Sequence, residues 1–253
     1  MLIQENELIV GHPCGQARAG AFSPDTAWTW LHDELDTIST RSQDPYFIRE
    51  EDKKTLREEI FFFFICNSLG EECEKQLRAE GLWEFGAEAC VSDLTYHVLS
   101  GGGDTSPGYD IILLKKGISG IKAEALEHLS KLSPTNEEDQ KRIIYYLGAI
   151  ETCEGVLAYA ARLSAYALEL SKKEQNPQRK QELEQIAAIN ARVPANPPQT
   201  FQEALQSIWT IQSLFLLEEN QCSTSLGRID QYLLPYYQAD IASGRLTEKE
   251  AFE

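Results

Sequence analysis

The longest helical pattern in the sequence runs from about Glu137 to Lys173, a stretch rich in alanine and leucine that contains no proline. Because nothing in it breaks a helix, the stretch predicts one long helix, which bends at most at Gly148 or Gly155. The fold class that follows is mostly α with a few strands, and the apolar run Glu7–Gly11 is a candidate strand or lead-in. Start signals of further helices recur along the chain, at Ser23-Pro24-Asp25, at Asn176-Pro177, and at Thr200 with Glu203.

The composition excludes several classes of function. The 253 residues carry a formal net charge of −17, so the chain repels phosphate backbones and nucleic acid is not an expected partner. No apolar run approaches the ~18 residues of a membrane span, and the first residues do not form a secretion signal. The cysteines and histidines are scattered, which predicts reduced thiols, a cytoplasmic location and no metal site.

Two apolar segments predict that this chain needs further protein around it. The large apolar residues of Phe61–Ile65 cover every face of a helix, and the helix Ile208–Leu217 is apolar on several faces. We expect both to be enclosed, and the chain alone to be inactive and prone to association. Thr247 and Glu250 form a capping box for a helix that the sequence ends soon afterwards, which predicts a longer parent chain.

The stretch Asp93–Gly117 suggests the chemistry of a site. Its consecutive glycines Gly101–Gly103 lose more backbone entropy on folding than other residues, so they indicate positive φ or a close backbone approach. Asp104 follows them directly, with Tyr96 shortly before and Tyr109 shortly after. A carboxylate gathered with aromatic faces suits an organic cation, especially a quaternary ammonium group. The alternative is a solvated surface turn, which the same residue types also favour.

A second pattern is spread in order along the chain, in the pieces Glu5–Gly11, Asp33–Thr37, Asp44-Pro45, Ala191–Pro194, Thr200–Gln206 and Ser225–Tyr232. This pattern resembles the N-terminal part of glycyl radical enzymes of the pyruvate formate-lyase superfamily. The resemblance implies that residues 1–253 form part of one pyruvate formate-lyase-like domain, truncated before its catalytic loops. It also implies the family fold, a ten-stranded α/β barrel wrapped in helices, to which this portion would supply helices and the first strands.

Within that superfamily, the piece Tyr96–Asp104 (Tyr-His-x-x-x-Gly-Gly-Gly-Asp) is similar to the pattern of choline trimethylamine-lyases. In those enzymes the tyrosine and the aspartate line the pocket of the trimethylammonium group, whereas related diol dehydratases usually carry histidine at the aspartate position. The resemblance therefore implies that Tyr96 and Asp104 bind choline or a similar small cationic alcohol. The full-length enzyme would cleave the C–N bond of choline to give trimethylamine and acetaldehyde.

The catalytic loops of the superfamily are absent from this sequence. The radical cysteine belongs to a Gly-Cys-x-Glu loop and the glycyl radical to an Arg-Val-x-Gly loop, and neither occurs here, so no catalytic residue is assigned. The resemblance implies no cofactor on this chain. It implies a glycyl radical in the full-length enzyme, installed by a radical S-adenosylmethionine activating enzyme. It further implies a homo-oligomer and leaves open a place inside a bacterial microcompartment.

Two other interpretations stay open. One is another glycyl radical eliminase, such as a diol dehydratase, in which removing the charge of Asp104 would matter little. The other is a helical binding module without catalysis, which the absent radical loops favour for the isolated chain. The gene sequence that follows residue 253 distinguishes this module from an enzyme.

Overall fold

Helices make up nearly all the regular structure of the computed structural model, which describes residues 3–12, 24–43, 45–84, 107–218 and 224–253. The chain separates into two compact units. Unit 1 comprises Met1–Gly15, Ser106–Leu214 and Ser225–Glu253, and unit 2 comprises Gln16–Thr105 and Phe215–Thr224.

In the described part of unit 2 the helices are α1 (Pro24–Glu34), α2 (Glu50–Thr55), α3 (Phe61–Phe64) and α4 (Leu69–Ala79), with a 3₁₀ turn at Ile38–Thr40 and a π-helical turn at Leu56–Ile60. In unit 1 they are α5 (Leu113–Leu129), α6 (Glu137–Lys173), α7 (Pro177–Arg192), α8 (Phe201–Glu218, whose last residues belong to unit 2), α9 (Ile229–Tyr232), α10 (Leu234–Ala242) and α11 (Glu248–Phe252).

The helix predictions made from local start signals are confirmed. The long helix α6 spans 37 residues, and the side chain of Asn136 accepts hydrogen bonds from two backbone N–H groups of its first turn. Asn176 caps α7 in the same way, with Pro177 as the first helical residue. α11 begins after Thr247 with the complete capping box to Glu250. In each case a side-chain oxygen satisfies N–H groups that have no partner within the helix.

The core of unit 1 forms where α5 and α7 pack along α6. One cluster joins α5, α6 and α8, with the buried residues Tyr109, Leu113, Leu114, Ile118, Cys153, Ala204, Ile208 and Leu233. A second cluster joins α6, α7 and the N-terminal segment, with the buried residues Val10, Leu163, Ala167, Leu183, Ile186 and Ala187. Each large aliphatic side chain buried in this way contributes about 1.5–3 kcal/mol, so the two clusters hold α8 and the N-terminal segment against α6.

The prediction of a few strands is wrong for the described residues, which contain no β-strand. The candidate segment Glu7–Gly11 has no regular secondary structure. Instead of a neighbouring strand, the side chain of Gln206 bonds both backbone groups of Val10. A buried N–H and C=O must be satisfied by some group, and here a side chain of α8 takes the place of a β-partner.

The barrel that the resemblance implied is also not formed by the described residues. A barrel closes only when every strand pairs with a neighbour on each side, and this part of the chain offers helices alone. The observed fold class is therefore all-helical over the described ranges. None of these helices is both long enough and apolar enough to cross a membrane.

The aromatic run Phe61–Ile65 is enclosed on one side only. Phe61 is buried in the core of unit 2, where α3 packs against α1. Phe62 and Phe63 are 69% and 70% exposed. Within this chain only one side of the run is covered, because α3 is a single turn and presents one side to the core. The expectation that further protein encloses the other side stays a prediction.

Candidate functional site

The substrate-binding residues predicted from the sequence, Tyr96 and Asp104, lie outside the described residues, which omit 85–106. The structure does show how the chain is held just after that stretch, at Tyr109. It also shows how the N-terminal segment is held at Val10. Both places are bound by one helix, α8, so the geometry around α8 is the part of the candidate site that the structure defines.

Gln206 makes the most buried of these links. Its side chain accepts the N–H of Val10 at 2.9 Å and donates to the C=O of Val10 at 2.8 Å. Its amide nitrogen also lies 3.0 Å from Oγ1 of Thr210, one turn further along α8. One turn earlier, Gln202 donates to the C=O of Leu8 at 3.4 Å. A polar face of α8 thus binds the backbone of the N-terminal segment.

Gly11 continues that segment through a space too small for a side chain. Its φ is +105°, and an added Cβ would lie 3.2 Å from Cδ1 of Leu163 and 3.3 Å from the hydroxyl of Tyr159. Tyr159 donates to the C=O of Gly11 at 3.1 Å. Burial raises the pKa of Tyr159, so its hydroxyl remains a neutral donor. The next residue, His12, places its ring 6.3 Å from the ring of Trp209 on α8, measured between centroids.

Tyr109 anchors the end of the glycine-rich stretch. Its hydroxyl donates to Oε1 of Gln212 on α8 at 2.7 Å, and its ring lies in the core cluster of unit 1. Burial raises the pKa of Tyr109, with the proximity of Tyr232 as the smaller cause. The sequence suggested that Tyr109 offers an aromatic face to a ligand of Asp104. The structure instead buries that ring among aliphatic side chains.

The loop Ser225–Tyr232, one of the pieces that carried the resemblance, closes on itself. The hydroxyl of Tyr232 donates to the C=O of Leu226 at 2.7 Å. Arg228 binds Asp230 through two hydrogen bonds of 3.0 and 2.8 Å. The bonds from Arg228 lower the pKa of Asp230, whereas burial raises the pKa of Tyr232. The loop therefore presents an exposed ion pair, while the ring of Tyr232 packs on the cluster that contains Tyr109.

The piece that contains Arg192 supports the start of α8. Arg192 donates to Oε2 of Glu203 at 2.8 Å, and the same oxygen accepts the N–H of Gln199 at 2.6 Å. Oγ1 of Thr200 accepts the N–H of Glu203 at 3.1 Å. Half of the predicted capping box is thus present, because the carboxylate of Glu203 binds Gln199 and Arg192 instead of the N–H of Thr200. Asp240, from α10, adds a further acceptor for the N-terminal turn of α8.

We call Val10–His12, Tyr109, Tyr232 and the face Gln206–Gln212 of α8 the α8 junction. Its direct bonds come from glutamine amides, tyrosine hydroxyls and backbone groups, all of which are neutral. Such groups bind and orient neighbouring segments, and the raised pKa values of the tyrosines exclude them as ready bases. The α8 junction is a positioning element that ties three motif-bearing segments to one helix.

Sequence reasoning missed Gln206, Gln212 and Tyr159, although one signal was present. Gln206 and Thr210 stand four residues apart in a helix that is otherwise rich in apolar residues, so they share one face. A polar stripe on a helix that is expected to be buried indicates a bonded backbone nearby. Nothing in the sequence indicated which segment supplies that backbone.

Among the described residues, three buried polar atoms of α8 find no hydrogen-bond partner, namely Oγ of Ser207, Nε1 of Trp209 and Oγ of Ser213. An unsatisfied buried polar group costs about 1–3 kcal/mol.

Within the described ranges, the side chains form neither a metal-binding group nor a pair that matches the family's radical cysteine and glutamate. In the described ranges, no three His, Cys, Asp or Glu side chains are grouped to hold a metal ion. Cys153 precedes Glu154, but Nζ of Lys122 binds the carboxylate of Glu154 at 2.8 Å, and burial raises the pKa of the Cys153 thiol. This pair does not match a radical cysteine with a free acid–base glutamate.

The fold and the α8 junction define a helical scaffold that holds motif-bearing segments in place. The family described as pyruvate formate lyase-like matches residues 1–253, the whole chain. The chain therefore belongs to this family of glycyl radical enzymes, which confirms the superfamily predicted from the sequence.

Three similar proteins match nearly the whole of this chain but only part of their own length. Isethionate sulfite-lyase of Nitratidesulfovibrio vulgaris is 33% identical over 267 residues, which cover 99% of this chain and 31% of that protein. The glycerol-bound B12-independent glycerol dehydratase of Clostridium butyricum is 31% identical with a TM-score of 0.83, and covers 99% of this chain and 31% of its own. A structure that concerns 1,2-propanediol dehydration in Roseburia inulinivorans is 30% identical with a TM-score of 0.82 and the same coverages. The chain spans about a third of the length of these relatives.

Proposed function

We propose that this chain is part of a glycyl radical eliminase, which removes a leaving group from a small alcohol by radical chemistry. The observation that supports this proposal most strongly is the family match over residues 1–253. The names of similar proteins, a sulfite-lyase and a dehydratase, describe eliminations and support the same class of reaction. In this proposal the present chain contributes substrate-site residues and the α8 junction, and the radical loops belong to other parts of the complete enzyme.

The leaving group is the finer question, and the comparisons favour water or sulfite over trimethylamine. They support the alternative that the sequence left open, an eliminase of the diol dehydratase kind. Choline remains the second candidate because of the pattern Tyr96–Asp104. A carboxylate at the substrate attracts an organic cation and repels a sulfonate, so the charge at Asp104 is the feature that separates these substrates.

The proposed function requires an activating enzyme and implies that the complete protein is an oligomer. An activating enzyme would install the glycyl radical with S-adenosylmethionine, and the complete protein would self-associate.

The test of the proposed function is an anaerobic assay of the full-length protein after treatment with its activating enzyme. Electron paramagnetic resonance should detect a glycyl radical, and one of glycerol, 1,2-propanediol, isethionate or choline should be converted to an aldehyde. A protein that acquires no radical and converts none of these substrates would contradict the proposed class.

Substituting Asp104 tests which substrate binds. If choline is the substrate, Asp104→Asn keeps the shape and removes the charge, so kcat/KM should fall at least about tenfold, or about 1.4 kcal/mol. Tyr96→Phe should cost less, because the ring face provides the cation–π contact, which is worth about 0.5–2 kcal/mol. With a neutral diol as substrate, the change at Asp104 should leave kcat/KM within about threefold, about 0.65 kcal/mol.

The matched control for this experiment is Glu151→Gln, which removes one negative charge from an exposed position on α6. It should leave the kcat/KM of every substrate unchanged. Equal losses from Asp104→Asn and Glu151→Gln on choline would assign the effect to overall charge and would refute a cation pocket.

A further inference from the structure

A cavity of about 380 Å³ lies in unit 1 between the end of α5 and the second and third turns of α6. It is lined by His128 and Lys131 on one side and by Lys141, Arg142, Tyr145 and Tyr146 on the other. Its volume falls within the about 300–1,000 Å³ that is usual for small-molecule sites. The basic lining contrasts with the formal net charge of −17 of the chain.

The cations of α6 line this cavity although acidic partners stand nearby. Glu137 and Lys141, and likewise Glu138 and Arg142, are four residues apart with the acid first, the spacing and order that favour ion pairs along a helix. Neither pair approaches within the 4.0 Å of a salt bridge, and no described acidic residue pairs with Lys141 or Arg142. Both cations therefore keep their charge available to a ligand in the cavity.

Aromatic rings form the other part of the cavity wall. The rings of His128 and Tyr146 stack with centroids 5.4 Å apart and an interplanar angle of 6°. Tyr145 meets Tyr146 edge-on, with centroids 5.4 Å apart, and is itself 71% exposed. Because Tyr145 lines the cavity and its ring is exposed, a flat ligand ring can lie against it.

We propose that this cavity binds a small organic anion with a flat ring, of the nucleoside monophosphate class. The phosphate would be held by Lys131, Lys141 and Arg142, and the base would stack on the exposed ring of Tyr145. Lys131 now binds Glu127 at 2.7 Å, in an exposed pair that a phosphate can replace at little cost. A small ligand is favoured over an acidic peptide because the cations come from two segments, Lys131 after α5 and Lys141 with Arg142 on α6, and converge on one cavity.

The test is calorimetric titration of the full-length protein with AMP at low ionic strength, with inorganic phosphate as a second probe. AMP should bind saturably and more tightly than phosphate. The double variant Lys141→Gln and Arg142→Gln should weaken AMP binding at least about tenfold, since two charge-assisted bonds are lost. Tyr145→Ala should weaken it at least about fivefold through loss of stacking, without affecting phosphate.

The matched control is the double variant Lys172→Gln and Lys173→Gln, which also removes two positive charges, from exposed positions near the other end of α6. AMP binding should be unchanged in this variant. A loss equal to that of the cavity variants would show attraction by overall charge and would overturn the proposal. So would the absence of saturable AMP binding, equal affinity for AMP and phosphate, or tighter binding of a hexaglutamate peptide than of AMP.

Discussion

Replacing Gly117 by alanine should loosen the start of α5 and lower the stability of unit 1. Gly117 has φ +65° and ψ 170°, a conformation that is essentially confined to glycine. An added Cβ would lie 2.4 Å from the backbone oxygen of Ala195 and 2.8 Å from backbone atoms of Asn196. These neighbours are backbone, so they yield only if the contact between α5 and the connector after α7 opens.

That contact is held by backbone hydrogen bonds from the two residues that follow the glycine. The N–H of Ile118 donates to the C=O of Pro194 at 2.8 Å, and the N–H of Ser119 donates to the C=O of Ala195 at 3.0 Å. Backbone strain of about 1–3 kcal/mol and overpacking of about 1–3 kcal/mol together predict a loss of about 2–6 kcal/mol. In the full-length protein, amide hydrogen exchange should accelerate in peptides that cover Leu113–Leu129.

Gly148→Ala is the matched control, because it makes the same change inside α6. No heavy atom lies within 4 Å of the Cβ that would be added at Gly148. Alanine in a helix interior is favoured over glycine by about 0.5–1 kcal/mol, so this variant should be as stable as the parent or slightly more so. If Gly117→Ala retained the exchange protection of the parent, the close approach of the connector would be refuted.

Replacing Gln206 by leucine should release the N-terminal segment from α8. The change removes the acceptor for the N–H of Val10 and the donor for its C=O in a fully buried setting. Leaving a buried polar group unsatisfied costs about 1–3 kcal/mol, so the two groups together predict a loss of about 2–6 kcal/mol. Hydrogen exchange should rise in residues 3–12 and in the adjoining turn of α8.

Gln202→Leu provides the comparison one turn earlier on the same helix. Gln202 binds the same segment through a single long bond of 3.4 Å to the C=O of Leu8, close to solvent. Water can replace that bond, so the loss should stay near about 1 kcal/mol or below. Equal effects of the two substitutions would show that the buried position of Gln206 adds nothing to the hold on Val10.

Much of the helical architecture was predictable because its signals are local. The caps at Asn176 and Thr247 act on N–H groups within three residues of themselves. The proline-free stretch that became α6 carries its periodicity within itself. The ordered motif pieces likewise predicted the superfamily, because each can be recognised without knowing where it lies in space.

The candidate site was predictable in chemistry but not in arrangement. Tyr96 and Asp104 were selected by residue type and spacing, and they remain predictions. Tyr109 belonged to the same pattern, yet the core of unit 1 buries its ring and Gln212 binds its hydroxyl. A tyrosine suits a ligand pocket and a core equally well, so only its neighbours in the fold distinguish the two roles.

By itself, the sequence determined where several of the helices begin and to which family the chain belongs. Only the tertiary structure decided that Val10 bonds to Gln206, 196 residues away, and forms no strand. It also decided that Gly117 must be glycine, because Ala195 and Asn196 pack against it. The physical reason is the distance along the sequence between the groups that interact. A capping bond is completed within one helical turn, whereas a close approach or a buried backbone partner exists only once distant segments have packed together.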